Sequence, residues 1–166
     1  MRKPLHSLTQ GFTLLEVLIA VVVLSFGLMG LAGIQAVGVR NTHSANLRTL
    51  AVQQAYDMAD RMRANAQGVN AAGVTGSYDA ITATIPSDPG CISIGCSPTL
   101  LAQYDQFVWN TNNAAMLPAG SGTVAVAGVV PNKTYIITVM WNDYRVAIPG
   151  TTCGTDITCF QVTFRP

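Results

Sequence analysis

Gly11–Val39 reads GFTLLEVLIAVVVLSFGLMGLAGIQAVGV, and its reading decides the fold. From Phe12 to Val39 the one charged residue is Glu16, and the next charge is Arg40. A helix needs about 20 mostly apolar residues to span a bilayer, and this run is long enough. A carboxylate at mid-membrane costs about 2.5–3.5 kcal/mol, so Glu16 needs a use and a partner. A short basic segment, Met1–Gln10 with Arg2 and Lys3, leads to Gly11 and then directly to Phe12. An ordinary secretory signal is cut after its apolar region at small residues, and no A-x-A-like site closes this run cleanly. The better cleavage point lies before the run, between Gly11 and Phe12. Cleavage there leaves the apolar helix as the new N-terminus, with Glu16 on its second turn.

Gly11-Phe12-Thr13-Leu14-Leu15-Glu16 resembles the class III signal of type IV pilins and type II secretion pseudopilins. The motif is specific: a glycine, an aromatic, and a glutamate five residues past the glycine, fused to a long apolar helix. The resemblance implies that a prepilin peptidase cuts after Gly11 and methylates the new terminal amine on Phe12. In a filament without lipid, Glu16 of one subunit then faces the terminal ammonium on Phe12 of its neighbour. Removing one partner of a buried charge pair costs about 3–5 kcal/mol, so the pair sets axial register as well as attraction. The alternative is a plain signal anchor with Glu16 at the headgroup level.

At 166 residues the chain has room for one globular domain and an appendage. Its 49% hydrophobic content is inflated by the N-terminal run. The net charge is +1, and loss of Arg2 and Lys3 with the leader takes the side-chain charge to −1. Bulk electrostatics therefore argue against a nucleic-acid partner. The basic leader argues for a cytoplasmic N-terminus. Arg40 weakens that signal, and the resemblance implies leader inside and domain outside.

Cys91, Cys96, Cys153 and Cys159 all fall in the part expected to be exported. An even count outside the cytoplasm reads as two disulfides. Of the three possible connectivities, Cys91–Cys96 with Cys153–Cys159 is favoured, because each pair needs only a short loop. Their C-x4-C and C-x5-C spacings are loose for zinc, and no metal site is expected.

From Asn41 to about Ala66 there is no proline or glycine, and Leu47, Ala51, Ala55, Met58 and Met62 mark one apolar stripe. One nearly continuous helix is expected from Phe12 to about Ala66, roughly 80 Å long. Gly27, Gly30, Gly33 and Gly38 interrupt its middle, each costing about 1 kcal/mol of helix stability relative to alanine. They mark a place to bend or a surface for close helix packing. Many pilins carry a proline near Gly33, and this chain does not.

Beyond the helix, Gln67–Gly76 is a break, Ser77–Pro86 is weakly patterned and Ser87–Ser97 is a turn-rich loop. Thr99–Trp109 has helical spacing after Ser97-Pro98, an N-cap followed by proline at the first helical position. Strands are expected at Thr123–Val130, Thr134–Trp141, Tyr144–Ile148 and Ile157–Phe164. The expected class is α+β: a long N-terminal helix packed on a C-terminal antiparallel meander of about four strands. The expected organisation is a leader at 1–11, a transmembrane and assembly helix at 12–39, its periplasmic half at 40–66 and a globular head at 67–166.

The carboxy half extends the resemblance. Asp88-Pro89-Gly90-Cys91 with Cys96, Ala102-Gln103-Tyr104-Asp105 with Trp109, and Tyr135–Trp141 before Asn142-Asp143 look like the PilV-type minor pilins, or type IV pilus modification proteins. These motifs are weaker than the N-terminal one. No catalytic constellation, phosphate loop or metal-ligand cluster is visible, so neither an enzyme nor a cofactor is expected. His6 and His43 read as solvated. Asp57 with Arg61, and Asp60 beside Arg63, read as a salt-bridged surface rather than as an acid/base pair or a phosphate contact. Trp109 and Trp141 read as core rather than as a stacking platform. The partners implied are prepilin peptidase, the major pilin, other minor pilins and the inner membrane, with no small-molecule substrate. A minor pseudopilin of a type II secretion system is the nearest alternative. A signal-anchored periplasmic binding protein or enzyme is an alternative of a different class.

Overall fold

The structure is a computed structural model, and it describes residues 11–70, 78–128, 133–143, 153 and 157–166. Its first element, α1, spans Leu14–Ala64, 51 residues. The helix starts where a threonine can cap it: the Glu16 backbone N–H donates to Thr13 Oγ1 at 3.2 Å. It ends at Asn65, whose side chain accepts from Gly68 N and starts the short α2, Ala66–Val69. The chain divides into two compact units at His43/Ser44.

In the first unit every described residue from Gly11 to His43 is exposed. A helix that is apolar all round belongs inside a core or a membrane. By length and composition α1 qualifies to cross a bilayer.

The second unit holds the rest of α1, then α2, β1 (Ala80–Ile81), α3 (Cys91–Ile94), α4 (Pro98–Met116), β2 (Ser121–Ala127), β3 (Thr134–Trp141) and β4 (Thr158–Phe164). The four strands form one antiparallel sheet in the order β1-β2-β3-β4. The α1 stripe Leu47, Ala51, Ala55, Met58 and Met62 is buried and shares one core with Val124, Ile137, Val139, Trp141 and Phe164. The arrangement is therefore α+β, with the long helix packed on an antiparallel sheet. Cys91 pairs with Cys96 and Cys153 with Cys159.

The end of α4 and the make-up of the sheet differ from the sequence reading. Helix α4 runs on past Trp109 to Met116. The sequence Asn110-Thr111-Asn112-Asn113 is made of weak helix formers. Tertiary contact overrides that propensity, because Asn110 and Asn113 are buried and hydrogen-bonded. The expected strand at Tyr144–Ile148 lies outside the described residues. Strand β4 pairs directly on β3, with Trp141 opposite Thr158 and Tyr135 opposite Phe164. Among the described residues the sheet also holds β1, two residues in the weakly patterned Ser77–Pro86 segment, which the sequence reading did not expect as a strand.

Gly122 is required by close approach. A Cβ on Gly122 would sit 2.2 Å from the Trp109 ring. Asn110 secures the same spot, accepting from Gly122 N at 2.7 Å and donating to Thr82 O at 3.0 Å. One side chain of α4 thus clamps β2 and the segment after β1.

Candidate assembly interface

Gly11, Phe12 and Thr13 precede the helix, and Phe12 is 84% exposed. The first carbonyl that α1 recruits is that of Thr13, which accepts from Glu16 N at 3.1 Å and Val17 N at 3.3 Å. Glu16 therefore sits in the first turn, where the helix macrodipole favours an anion. Phe12, Glu16, Ala20 and Leu24 follow at steps of four and, with Val17 and Val21, line one strip of the surface. Among the described residues no cation pairs with Glu16. The strip thus presents a single carboxylate amid aliphatic and aromatic groups, three residues past an uncoiled Gly11–Thr13 lead.

The family described as a prokaryotic N-terminal methylation motif matches residues 7–32. The family described as type IV pilin Tt1218 matches residues 33–107. The two matches run without a gap from the basic segment into α4. This chain belongs to the type IV pilins. No curated protein and no solved structure matches it. The family is structural rather than enzymatic. The methylation motif implies processing by prepilin peptidase and assembly with other pilins, and the apolar helix with that motif implies membrane anchoring.

The head of this pilin locks α1 to α4 through a polar cluster that the sequence did not reveal. Arg61 Nε pairs with Asp57 at 2.8 Å, as the i,i+4 spacing indicated. Its Nη1 goes on to Asp105 at 3.2 Å, and the Asp105 side chain is only 8% exposed. The Asp57–Arg61 pair is thus one edge of a partly buried network rather than a solvated surface pair. Tyr78 donates its hydroxyl to the other Asp105 oxygen. Asn65 donates to Tyr78 Oη at 3.1 Å and to Pro98 O at 2.8 Å. Asp105 shares its helix face with Ala102 and Trp109, both buried, and that spacing is the signal that could have found it. Arg63 stays on the surface, pairs with Asp60 and lies 4.9 Å over the Phe164 ring. Both arginines are therefore engaged within the head. Trp109 and Trp141 are core, and His43 is exposed.

A second lock lies beside β3. Lys133 Nζ reaches Asp79 Oδ2 at 2.9 Å, and Tyr135 donates to Asp79 Oδ1 at 2.8 Å. Tyr135 Oη also lies 3.2 Å from the Val69 carbonyl.

Two outcomes follow from these locks. Asp105→Ala removes the acceptor of Arg61 and Tyr78. Breaking a buried pair costs about 3–5 kcal/mol. Arg61 is a quarter exposed and keeps Asp57, so about 2–3 kcal/mol is expected here, read as a lower denaturant midpoint. The second outcome concerns alkaline pH. Burial, then the hydrogen bond to a carboxylate, raises Tyr78 and Tyr135 above the ordinary tyrosine pKa of 10.0. Each contributes stability that is fully present below pH 10.0 and lost as pH rises towards the folded-state value. Unfolding midpoints should fall above pH 10.0, and the Tyr78→Phe/Tyr135→Phe double variant should fall less steeply.

Proposed function

We propose that this pilin is a minor subunit of a type IV pilus, of the PilV type. In this reading residues 1–11 are a leader that prepilin peptidase removes between Gly11 and Phe12, with methylation of the new Phe12 amine. The apolar part of α1 holds the subunit in the inner membrane with its head in the periplasm until it enters the extracellular pilus. There it primes assembly with the major pilin and other minor pilins, and so supports twitching motility, adhesion or DNA uptake.

The observation that carries the reading is the Gly11–Phe12 junction, uncoiled and exposed directly before a capped helix with Glu16 in its first turn. The mechanism is packing of helix stripe on helix stripe, with Glu16 compensating a neighbour's terminal ammonium. The PilV-like motifs in the head, Asp88–Cys91 with Cys96 and Ala102–Asp105 with Trp109, favour the minor-pilin assignment. Intact-mass measurement on membrane-extracted protein tests processing. Loss of Met1–Gly11 with gain of one methyl group is expected, and a retained leader points to a signal-anchored periplasmic protein instead. A type II secretion pseudopilin has the same helix and the same processing. Subunits that co-purify from membranes distinguish the two machines.

A further inference from the structure

Three buried polar atoms of the head have no hydrogen-bond partner among the described residues: Gln54 Oε1 on α1, Asn113 Oδ1 on α4 and Trp141 Nε1 on β3. Gln54 is 7% exposed, and the other two side chains are fully buried. Buried polar groups of folded proteins are nearly always paired, and each exception calls for a cause. These three lie at one level of the core. The Gln54 carbonyl accepts from Trp109 Nε1 at 2.8 Å, and Gln54 Nε2 lies 3.1 Å from Met116 Sδ. Trp109, Asn113 and Met116 follow at steps of four and three on α4, so Asn113 sits between the two points where Gln54 meets that helix. Trp141 reaches the same level through the sheet. Asn110 binds Gly122, and the Asn113 carbonyl crowds Gly120, so advancing along α4 means stepping back along β2. Gly122 lies opposite Val139 and Ser121 opposite Met140, so the same advance on β3 leads from Val139 to Trp141. Val139 and Trp141 share the core-facing side of β3, and the next residue, Asn142, donates its N–H to Pro118 O at 2.8 Å, just past the end of α4.

We propose that one buried water molecule bridges Gln54, Asn113 and Trp141, and so joins α1, α4 and β3. The chemistry of the three groups selects the ligand. Gln54 Oε1 and Asn113 Oδ1 can only accept, and the Trp141 indole N–H can only donate. The occupant must therefore donate two hydrogen bonds and accept one. Water does both, and a buried water typically makes about three hydrogen bonds. A metal or ammonium ion has no lone pair for the indole N–H. A halide or carboxylate has no proton for the two amide oxygens. All three protein groups are neutral, which also favours a neutral occupant over an ion. Trp109 and Leu117 flank Asn113 at one helical turn on either side, and both are buried. The bridging molecule is therefore shielded from bulk solvent and exchanges slowly with it. It gives the helix layer and the sheet layer a shared joint in addition to the direct bond from Trp109 to Gln54.

The test uses the full-length chain in detergent micelles with nitrogen-15 in its two tryptophans. Each indole N–H then gives one magnetic-resonance signal, and magnetisation transfer from water reports a long-lived water beside it. Trp109, whose indole N–H is taken by the Gln54 carbonyl, is the internal control. Strong transfer to Trp141 and little to Trp109 is expected. A double-mutant cycle of Gln54→Met and Trp141→Phe, two substitutions of similar volume, runs alongside by chemical unfolding. Each variant removes one of the bridge's hydrogen bonds, so the two effects should not multiply. The double variant should retain about a fivefold larger folding constant than the product of the single losses. Absent transfer to Trp141, or equal transfer to both indoles, overturns the proposal. Coupling without transfer means that Gln54 and Trp141 touch directly, and it overturns the bridge as well. Transfer without coupling means that a water sits at Trp141 but is held by other groups, which overturns the three-way joint.

Discussion

Glu16→Ala is expected to leave the membrane-anchored precursor at its normal level and to lower incorporation into filaments by about 100- to 4,000-fold. The reasoning is local. Alanine removes a carboxylate whose burial in lipid is unfavourable by up to about 2.5–3.5 kcal/mol, so insertion does not suffer. The helix start survives too, because the bond from residue 16 to Thr13 Oγ1 uses the backbone N–H. Loss of the first-turn anion costs the isolated helix only about 0.3–1 kcal/mol. What disappears is the partner of a neighbour's terminal ammonium in an apolar core, at about 3–5 kcal/mol per contact. At about 1.4 kcal/mol per factor of ten, that gives the stated range. Comparing mature subunit in membranes with subunit in sheared filaments measures it. Normal incorporation of the variant removes the basis for assigning Glu16 to assembly.

Trp109→Ala is expected to destabilise the head by about 3–5 kcal/mol, the range for emptying a buried tryptophan site. Trp109 is fully buried, and its indole N–H donates to the Gln54 carbonyl of α1 at 2.8 Å. Its ring fills the space that Gly122 leaves open in β2. The change therefore strips one contact from the helix layer and another from the sheet layer. The surroundings already contain two buried oxygens with no hydrogen-bond partner among the described residues, Gln54 Oε1 and Asn113 Oδ1. Uncovering the Gln54 carbonyl as well adds to that burden. Domains of this size are typically stable by about 5–15 kcal/mol, so the variant should be degraded in cells or unfold well below the wild type. Trp109→Phe keeps most of the ring and loses the hydrogen bond, and a smaller loss of about 1–2 kcal/mol is expected. Chemical unfolding of the detergent-extracted protein, followed through Trp141, compares them. Equal midpoints for the alanine variant and wild type would show that the tryptophan does not join the layers.

The parts of the fold legible in the sequence were those where one periodicity acts alone. The α1 stripe from Leu47 to Met62 repeats at helical spacing because a single core lies against it. Strand β3 could be read at both ends, Thr134 and Trp141, because β-branched and aromatic residues fill it without interruption. The end of α4 was not legible, because Asn110 and Asn113 are held helical by contacts with Gly122, Thr82 and each other, distant or invisible in the sequence. Strand β1 was missed because two residues cannot display an alternation. Asp105 was hidden because a charge on a helix reads as its solvent face, whereas this one is turned into the core. Around Gly11, Phe12 and Glu16 the situation is opposite, since one carboxylate in an apolar run stands out without any tertiary information.

The placement of Phe164 bears on when the head can close. This residue of β4 is buried in the same core as Leu47, Ala51 and Met58 of α1, more than a hundred positions earlier. Ribosomes and translocation pores deliver a chain progressively, so the α1 side of that core emerges first and waits uncovered for its lid. The greasy flank of α1 is thus open to chaperones, or to mispairing, for most of the delivery time. A nonsense or frameshift change anywhere before β4 should therefore yield a sticky, protease-sensitive stub rather than a shortened working head.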